Sequence, residues 1–209
     1  MNAVARPLPL RTLLLAAVAS LLLLLGACDR LAPSGAKPFN AIDITGAEYA
    51  RGFELPDQNG KLRTLADFKG KVTVVFFGFT QCPDVCPVTM AELAQVKKQL
   101  GTDGDRLQAI FITVDPKRDT PALLKGYVEA FDPSFVALRG TPEQTAATAK
   151  EFKVFFAQVP GKTEGSYSVD HTAGSYVFDA QGKVRLFVRY GAGAEALAAD
   201  LKTLLAAAG

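Results

Sequence analysis

The residues of this chain best suited to chemistry are two cysteines separated by three residues, Cys82 and Cys86. They follow an apolar run at residues 71–79 and precede a segment with helical spacing of apolar residues that opens at Pro87. A thiolate is the reactive and metal-binding form of cysteine, and the free N–H groups and dipole of a helix N-terminus stabilise it. Both sulfurs can therefore lie on one side of a loop–helix junction, where they could form a disulfide or share a metal ion.

Three interpretations of this cysteine pair are open. A disulfide that only stabilises the fold suits an oxidising compartment, but it would close so small a loop that it removes little entropy from the unfolded chain. Two unrelated free thiols at a helix start outside the cytoplasm would oxidise readily. A redox-active or metal-binding pair meets neither objection, and three intervening residues favour two sulfurs opened around an ion without preventing a disulfide.

The chain has one histidine, His171, in a polar segment just before a predicted strand. A lone histidine is more often a surface or core residue than a ligand, and His171 is far from the cysteines in sequence. The strand could nonetheless end near the cysteine loop, with Asp170 available to orient the imidazole. If the three groups converge, two thiolates and one imidazole make copper, zinc and iron the candidate metals.

The elements that must position these residues alternate between strands and helices. A hairpin with an Asn-Gly turn is predicted at residues 53–55 and 62–64. Strands are predicted at residues 71–79, 107–114, 135–138, 175–178 and 184–190. Helices are predicted from Pro87, from Thr120, from a capping box at Thr141 to about Phe152, and at the C-terminus. This order predicts an α/β fold: a thioredoxin-like three-layer sandwich with an N-terminal hairpin extension.

The start of the chain is typical of an export signal. A basic segment is followed by an apolar stretch at residues 12–25, too short to span a membrane comfortably, and then by Cys28. We predict a lipoprotein signal peptide over residues 1–27, acylation of Cys28, a flexible tether over residues 28–38 and one domain over residues 39–209. The alternative is an uncleaved anchor in which Cys28 is incidental. Either leader would place the domain outside the cytoplasm, held at a membrane.

Composition excludes several classes of protein. With 49% apolar and 21% charged residues the chain is an ordinary globular protein, and a single apolar run longer than ten residues excludes a multi-pass membrane protein. The net charge of +2 falls to zero once the leader is removed, because Arg6 and Arg11 leave with it and no acidic residue does. A nucleic-acid partner is therefore not expected, since such proteins normally keep a basic excess.

Three sequence blocks resemble the Sco/SenC family of copper proteins. They are Phe-Gly-Phe-Thr-Gln-Cys-Pro-Asp-Val-Cys-Pro at residues 77–87, Val-Asp-Pro-Lys-Arg-Asp-Thr at 114–120 and Val-Asp-His-Thr at 169–172. Their order and approximate spacing are those of the family, and the resemblance extends from about Phe53 through the C-terminal helix. It implies a membrane-tethered protein of thioredoxin-like fold that binds one copper ion, Cu(I) or Cu(II), through Cys82, Cys86 and His171.

The resemblance also implies a role in assembling the binuclear copper centre of cytochrome c oxidase. The predicted function is a copper chaperone at the periplasmic face of the bacterial inner membrane. It would receive copper from an upstream periplasmic donor and pass it to the copper-bearing oxidase subunit by ligand exchange, which is not enzymatic turnover. The alternative is a thiol–disulfide oxidoreductase whose cysteines reduce those of the oxidase centre, or a redox sensor. A peroxidase is disfavoured by the two-cysteine metal arrangement.

Two further features qualify the resemblance. Gln81 stands where a histidine is common in the family, so His171 is the one imidazole available. Asp115 and Arg118 follow the strand predicted at residues 107–114, at the end where the cysteine loop should lie. We expect loop and helix-cap chemistry there, with Asp119 or Thr120 as the cap. The alternative for Asp115 is a role beside the metal ligands or in docking a partner. Asp170 is also a candidate for a role beside the ligands.

Overall fold

A mixed six-stranded sheet organises the part of the chain that the computed structural model describes, residues 39–207. Its parallel strands are β4 (Val72–Gly78), β5 (Leu107–Thr113) and β6 (Val136–Leu138). Its antiparallel strands are β9 (Gly174–Phe178), β10 (Val184–Arg189) and β1 (Ile42–Asp43). The order across the sheet is β1-β10-β9-β4-β5-β6, which puts β4 at its centre.

Within residues 39–207, four α-helices accompany the sheet. They are α1 (Val85–Gln99), α2 (Pro121–Glu129), α3 (Pro142–Glu151) and α4 (Ala194–Ala206), with short 3₁₀ helices at Leu65–Phe68 and Gly101–Arg106. The helices α1 and α2 connect the parallel strands, which need such crossovers. The predicted caps are present: the Thr120 hydroxyl accepts from the Leu123 N–H, and Thr141 and Gln144 form a capping box.

Aromatic side chains show that the sheet is covered on both faces. On one face, Phe76 packs against Phe111, and Tyr127 of α2 lies 5.2 Å from Phe111 between ring centroids. On the other face, Phe77 packs against Phe152 at the end of α3, with centroids 5.1 Å apart. Every residue of β4 and β5 is buried, as strands covered on both sides must be. The predicted thioredoxin-like three-layer sandwich is thereby confirmed.

The N-terminal hairpin extension is also confirmed. It pairs β2 (Glu54–Pro56) with β3 (Leu62–Thr64) in antiparallel register. Asp57 organises the turn, because its Oδ1 accepts the N–H groups of Asn59 and Lys61 at 2.9 and 3.0 Å. Its Oδ2 accepts from Arg63 Nε at 2.8 Å. A single bridge between Asp57 and Leu138 joins the hairpin to the end of β6.

Two features differ from the sequence prediction. Helix α1 begins at Val85 rather than at Pro87. The first four N–H groups of a helix have no partner within it, so a proline in that turn does not force the helix to begin there. The second difference is a hairpin of β7 (Phe156–Pro160) with β8 (Tyr167–His171), where a polar loop was predicted. Most of its residues are exposed or half-buried, so its sequence lacks the long buried run that marks a central strand.

The predicted signal peptide over residues 1–27 and tether over residues 28–38 lie outside the described residues, and so does Cys28. Among the described residues, no helix is both long and apolar enough to cross a membrane. The proposed start of the folded domain at residue 39 stays a prediction.

An ion pair between Arg51 and Glu151 predicts a small loss of stability in acid. Arg51 donates to Glu151 from its backbone N–H and its guanidinium at 2.8–3.0 Å, which lowers the pKa of Glu151 from 4.5 to about 2. The stabilisation is therefore present above about pH 5 and is lost as pH falls towards 2. Because Arg51 is exposed and water screens the pair, the loss of stability should be small. Urea denaturation of Glu151→Gln and Arg51→Ala across pH 2–7 tests this. Glu151→Gln should lose the whole pH-dependent increment, whereas Arg51→Ala should keep a part of it, because the backbone N–H of residue 51 still donates to Glu151; an unchanged pH dependence in Glu151→Gln would contradict it.

Candidate metal centre

The structure brings Cys82, Cys86 and His171 together. One ligand atom from each residue, two sulfurs and a ring nitrogen, can be chosen so that all lie within 4.8 Å of one another. Among the described residues this is the one group of three or more such side chains close enough to share an ion. The convergence that sequence spacing alone left open is therefore present in the fold.

The two cysteines lie at the junction of β4 and α1. Cys86 is the second residue of α1, and its backbone N–H donates to Cys82 Sγ at 3.4 Å. That N–H belongs to the first turn, whose donors have no partner within the helix, and the Cys82 sulfur is its acceptor. Both thiols are free; Cys82 is half-buried and Cys86 is completely buried. The pair thus combines one accessible sulfur with one enclosed sulfur.

Burial sets the protonation state of Cys86. Removal from water raises the pKa of the Cys86 thiol far above its usual value, and the hydrogen bond and charge of Cys82 raise it further. A metal ion must displace this proton in order to bind the sulfur, so binding should release protons and weaken as pH falls. Without a metal the buried sulfur is therefore a protonated thiol rather than a free thiolate, and a soft metal ion can replace its proton.

The imidazole of His171 is oriented for coordination. Its Nδ1 lies 3.1 Å from the Thr172 carbonyl oxygen, a bond that only a protonated Nδ1 can make, which leaves the lone pair on Nε2. Nε2 lies 3.4 Å from Cys86 Sγ. The ring contacts Phe76 and Phe79 edge-on, each at 5.9 Å between centroids. Burial lowers the pKa of His171, opposed by the Thr172 bond and by Asp170, so the ring favours the neutral, metal-binding form.

The donor set matches the chemistry of copper. Thiolates are soft ligands that select Cu(I), and imidazole suits both copper states. Cu(I) is satisfied by few soft ligands, and since Cys82 and His171 are only half-buried, a further ligand for Cu(II) could approach from solvent. The three residues form a potential copper site.

A glycine at the end of β4 makes room for the buried sulfur. A Cβ added at Gly78 would lie 2.8 Å from Cys86 Sγ and 2.9 Å from ring carbons of Phe76 and Phe111. We expect Gly78→Ala to destabilise the fold by about 1–3 kcal/mol, since all three neighbours are buried and one of them must move. Copper affinity should fall as well. Urea denaturation and a copper titration test this, with the exposed Gly126→Ala in α2 as control; equal stability of the two variants would contradict it.

Asp119 fastens the start of the cysteine loop. Its carboxylate accepts from the Thr80 N–H at 3.1 Å and from the hydroxyls of Thr80 and Thr113, both at 2.6 Å. Burial raises the pKa of Asp119, and the Thr113 and Thr80 bonds oppose that shift. Of the two residues expected to cap helix α2, Asp119 and Thr120, it is Thr120 that fills the position. A role for Asp119 under the loop was missed, although it lies in the block that resembles the family.

The two other acidic candidates lie apart from the sulfurs. Asp115 is buried, pairs with Arg118, and accepts from the Tyr167 hydroxyl at 2.9 Å. It therefore contacts Tyr167, the first residue of β8, whereas the candidate ligand His171 is the last residue of that strand. Asp170 is exposed, and the ring nitrogen that it was expected to orient bonds to Thr172 instead. What Asp170 supplies is a charge that raises the pKa of His171. The Thr172 carbonyl was missed because backbone acceptors leave no mark in the residue type.

Comparison with known proteins supports the resemblance seen in the sequence. The SCO1/SenC family model matches residues 43–206. The SCO2-like protein of Rickettsia felis is 40% identical over 132 residues, which are 63% of this chain and 64% of the relative. This chain thus matches slightly less than two thirds of the length of that curated relative.

Solved structures agree in fold. Bradyrhizobium japonicum ScoI with copper bound is 44% identical, with a TM-score of 0.67 over 74% of this chain and 98% of that one. BsSco, described as a member of the Sco family of cytochrome c oxidase assembly proteins with a disulfide switch, is 26% identical. Its TM-score is 0.58 over 79% of this chain and 98% of that one. The chain belongs to the SCO1/SenC family.

Proposed function

We propose that this protein is a copper chaperone that binds one copper ion at Cys82, Cys86 and His171 and passes it to the binuclear copper centre of cytochrome c oxidase. The observation that carries the proposal is the meeting of two free sulfurs and an imidazole nitrogen within 4.8 Å. The copper bound to the Bradyrhizobium relative and the oxidase-assembly role stated for the family of BsSco support the choice of metal and acceptor.

Unequal burial of the ligands suits transfer rather than storage. Cys86 is enclosed, whereas Cys82 and His171, which we call the rim of the site, are only half-buried. An acceptor thiolate can approach the copper from that rim, bind as an added ligand and displace Cys82. The bond between copper and the enclosed Cys86 sulfur would break last. Such ligand exchange forms and breaks metal–ligand bonds in pairs and needs no general base.

The proposed location follows from the leader. Cleavage before Cys28, acylation of that residue and a tether over residues 28–38 would hold the domain at the periplasmic face of the bacterial inner membrane. An upstream periplasmic protein would supply copper, and the copper-bearing oxidase subunit would receive it. Growth with a radiolabelled fatty acid tests the anchor: Cys28→Ser should abolish label incorporation, and retained label would contradict acylation at that residue.

A second candidate function is reduction of the acceptor's cysteines, and the asymmetry of the thiols favours it. The accessible Cys82 sulfur at the helix N-terminus could attack an acceptor disulfide, and Cys86 could then resolve the mixed disulfide. The balance is one disulfide reduced in the acceptor, one Cys82–Cys86 disulfide formed, and two electrons transferred.

One experiment separates the two functions. Copper-loaded protein and copper-free dithiol protein are each mixed with the soluble copper-binding oxidase domain, prepared either with reduced cysteines or with its disulfide. The chaperone predicts that copper appears in the reduced acceptor, followed by its absorption spectrum, without formation of a Cys82–Cys86 disulfide. The reductase predicts thiol release in the oxidised acceptor and no copper transfer. Failure to transfer copper to the reduced acceptor would contradict the chaperone proposal.

A further inference from the structure

The strand that carries His171 stands outside the main sheet. β8 pairs only with β7 among the described strands, and an isolated two-stranded hairpin is marginally stable in water. The chain enters β9 at Gly174, three residues after His171, and this fixes one end of the segment. The orientation of β8 relative to the cysteine loop must therefore be fixed at the other end of the strand, at Tyr167. The buried side chain of Val169 also contributes.

One arginine joins that far end to the cysteine loop. Arg118 Nη1 donates to the Tyr167 carbonyl at 2.8 Å and to Gln81 Oε1 at 3.1 Å. Its guanidinium carbon lies 3.7 Å from the centre of the Tyr167 ring. Asp115 pairs with Arg118 Nε and also accepts the Tyr167 hydroxyl. A single side chain therefore contacts the first residue of β8 and the neighbour of Cys82.

We propose that Arg118 is a positioning residue that holds the imidazole of His171 in register with the two sulfurs. The inference rests on the proposed copper site, which it deepens. Arg118 is not itself a ligand: its guanidinium has no lone pair for a metal, and its effect on copper passes through β8. The planar fork of an arginine can stack on a ring while its nitrogens donate in several directions, whereas a lysine offers one compact ammonium.

The test is Arg118→Lys, which keeps the charge and can keep the pair with Asp115. It cannot keep the stack together with both Nη1 bonds, so we expect Cu(II) affinity to fall at least about tenfold, as when other groups that orient a ligand are changed. The nitrogen coupling of the imidazole in the Cu(II) electron paramagnetic resonance spectrum should weaken with it. Cu(I) affinity should change less, because two thiolates can hold Cu(I) alone.

Arg63→Lys is the matched control. Arg63 also pairs with a buried aspartate, Asp57, and lies over an aromatic ring, that of Phe68. It belongs to the N-terminal hairpin, and we expect copper affinity and the spectrum to be unchanged. If Arg118→Lys fails to fold, Tyr167→Leu serves instead, since it removes the ring under the guanidinium and leaves the Asp115–Arg118 pair.

A double-mutant cycle of Arg118→Lys with His171→Ala decides whether Arg118 acts through the imidazole. In the His171→Ala background, Arg118→Lys should change Cu(II) affinity by less than about twofold, since no imidazole remains to be positioned. Equal losses in both backgrounds would overturn the inference, as would no loss in the wild-type background. If His171→Ala itself leaves copper binding unchanged, the proposed ligand set fails, and the positioning role fails with it.

Discussion

Cys86→Ser should lower the affinity of the reduced protein for Cu(I) by at least about 1000-fold, or roughly 4 kcal/mol. The variant removes the enclosed sulfur, and a serine hydroxyl is a hard, protonated group that Cu(I) does not prefer. The remaining Cys82 and His171 lie at the rim, where water competes for the metal. Because the two side chains have almost the same shape, the fold should survive the change.

Anaerobic competition against a chromophoric Cu(I) chelator measures this loss. Thr89→Ser, also on the buried side of α1, is the matched control and should bind copper as the wild type does. A Cys86→Ser variant that binds Cu(I) within tenfold of the wild type would show that the buried sulfur is not a ligand. The thermal unfolding of both variants establishes that any loss of binding is local.

Asp119→Ala should be the most destabilising change in the support of the site, by about 3 kcal/mol or more. It removes the acceptor of the Thr80 N–H and of the Thr80 and Thr113 hydroxyls, and Asp119 is completely buried. Buried donors left without an acceptor cost more than the same bonds lost at the surface. The start of the cysteine loop should loosen, and copper affinity should fall together with stability.

Asp67→Ala is a close control for that prediction. Asp67 likewise accepts the N–H and hydroxyl of one threonine, Thr64, at 2.7 and 3.0 Å, but at an exposed position. Water can replace those bonds, so we expect a clearly smaller loss of stability than for Asp119→Ala. Urea denaturation of both variants at pH 7 gives the comparison. Similar losses of stability in the two variants would contradict the view that burial makes the hydrogen bonds of Asp119 more important than those of Asp67.

The sequence predicted the position of the cysteines well because that position depends only on neighbouring residues. A continuous apolar run identifies a central strand, helical spacing identifies α1, and the cysteines fall between them. The error of two residues at the start of α1 arose from reading Pro87 as the first helical residue. The first turn tolerates proline beyond that position, and the shift puts Cys86 inside the helix.

His171 could not be assigned from spacing, because its place depends on contacts remote in sequence. β8 is held by Arg118, which lies 49 residues before Tyr167, and no periodicity announces such a bond. The β7–β8 hairpin was missed for a different reason: nearly all of its residues are exposed or half-buried, so no buried face marks it in the sequence. The block Val-Asp-His-Thr pointed to His171 only through resemblance to a family. The orienting carbonyl of Thr172 depends on the fold alone.

X-ray absorption spectroscopy of the reduced, copper-loaded protein shows whether Cys82, Cys86 and His171 bind the copper ion together. It reports which elements surround the metal, and the three converging side chains predict two sulfur scatterers and one imidazole nitrogen. His171→Ala should remove the imidazole signal and leave both sulfurs. A copper shell of one sulfur or none, or an imidazole signal that persists in His171→Ala, would contradict the account.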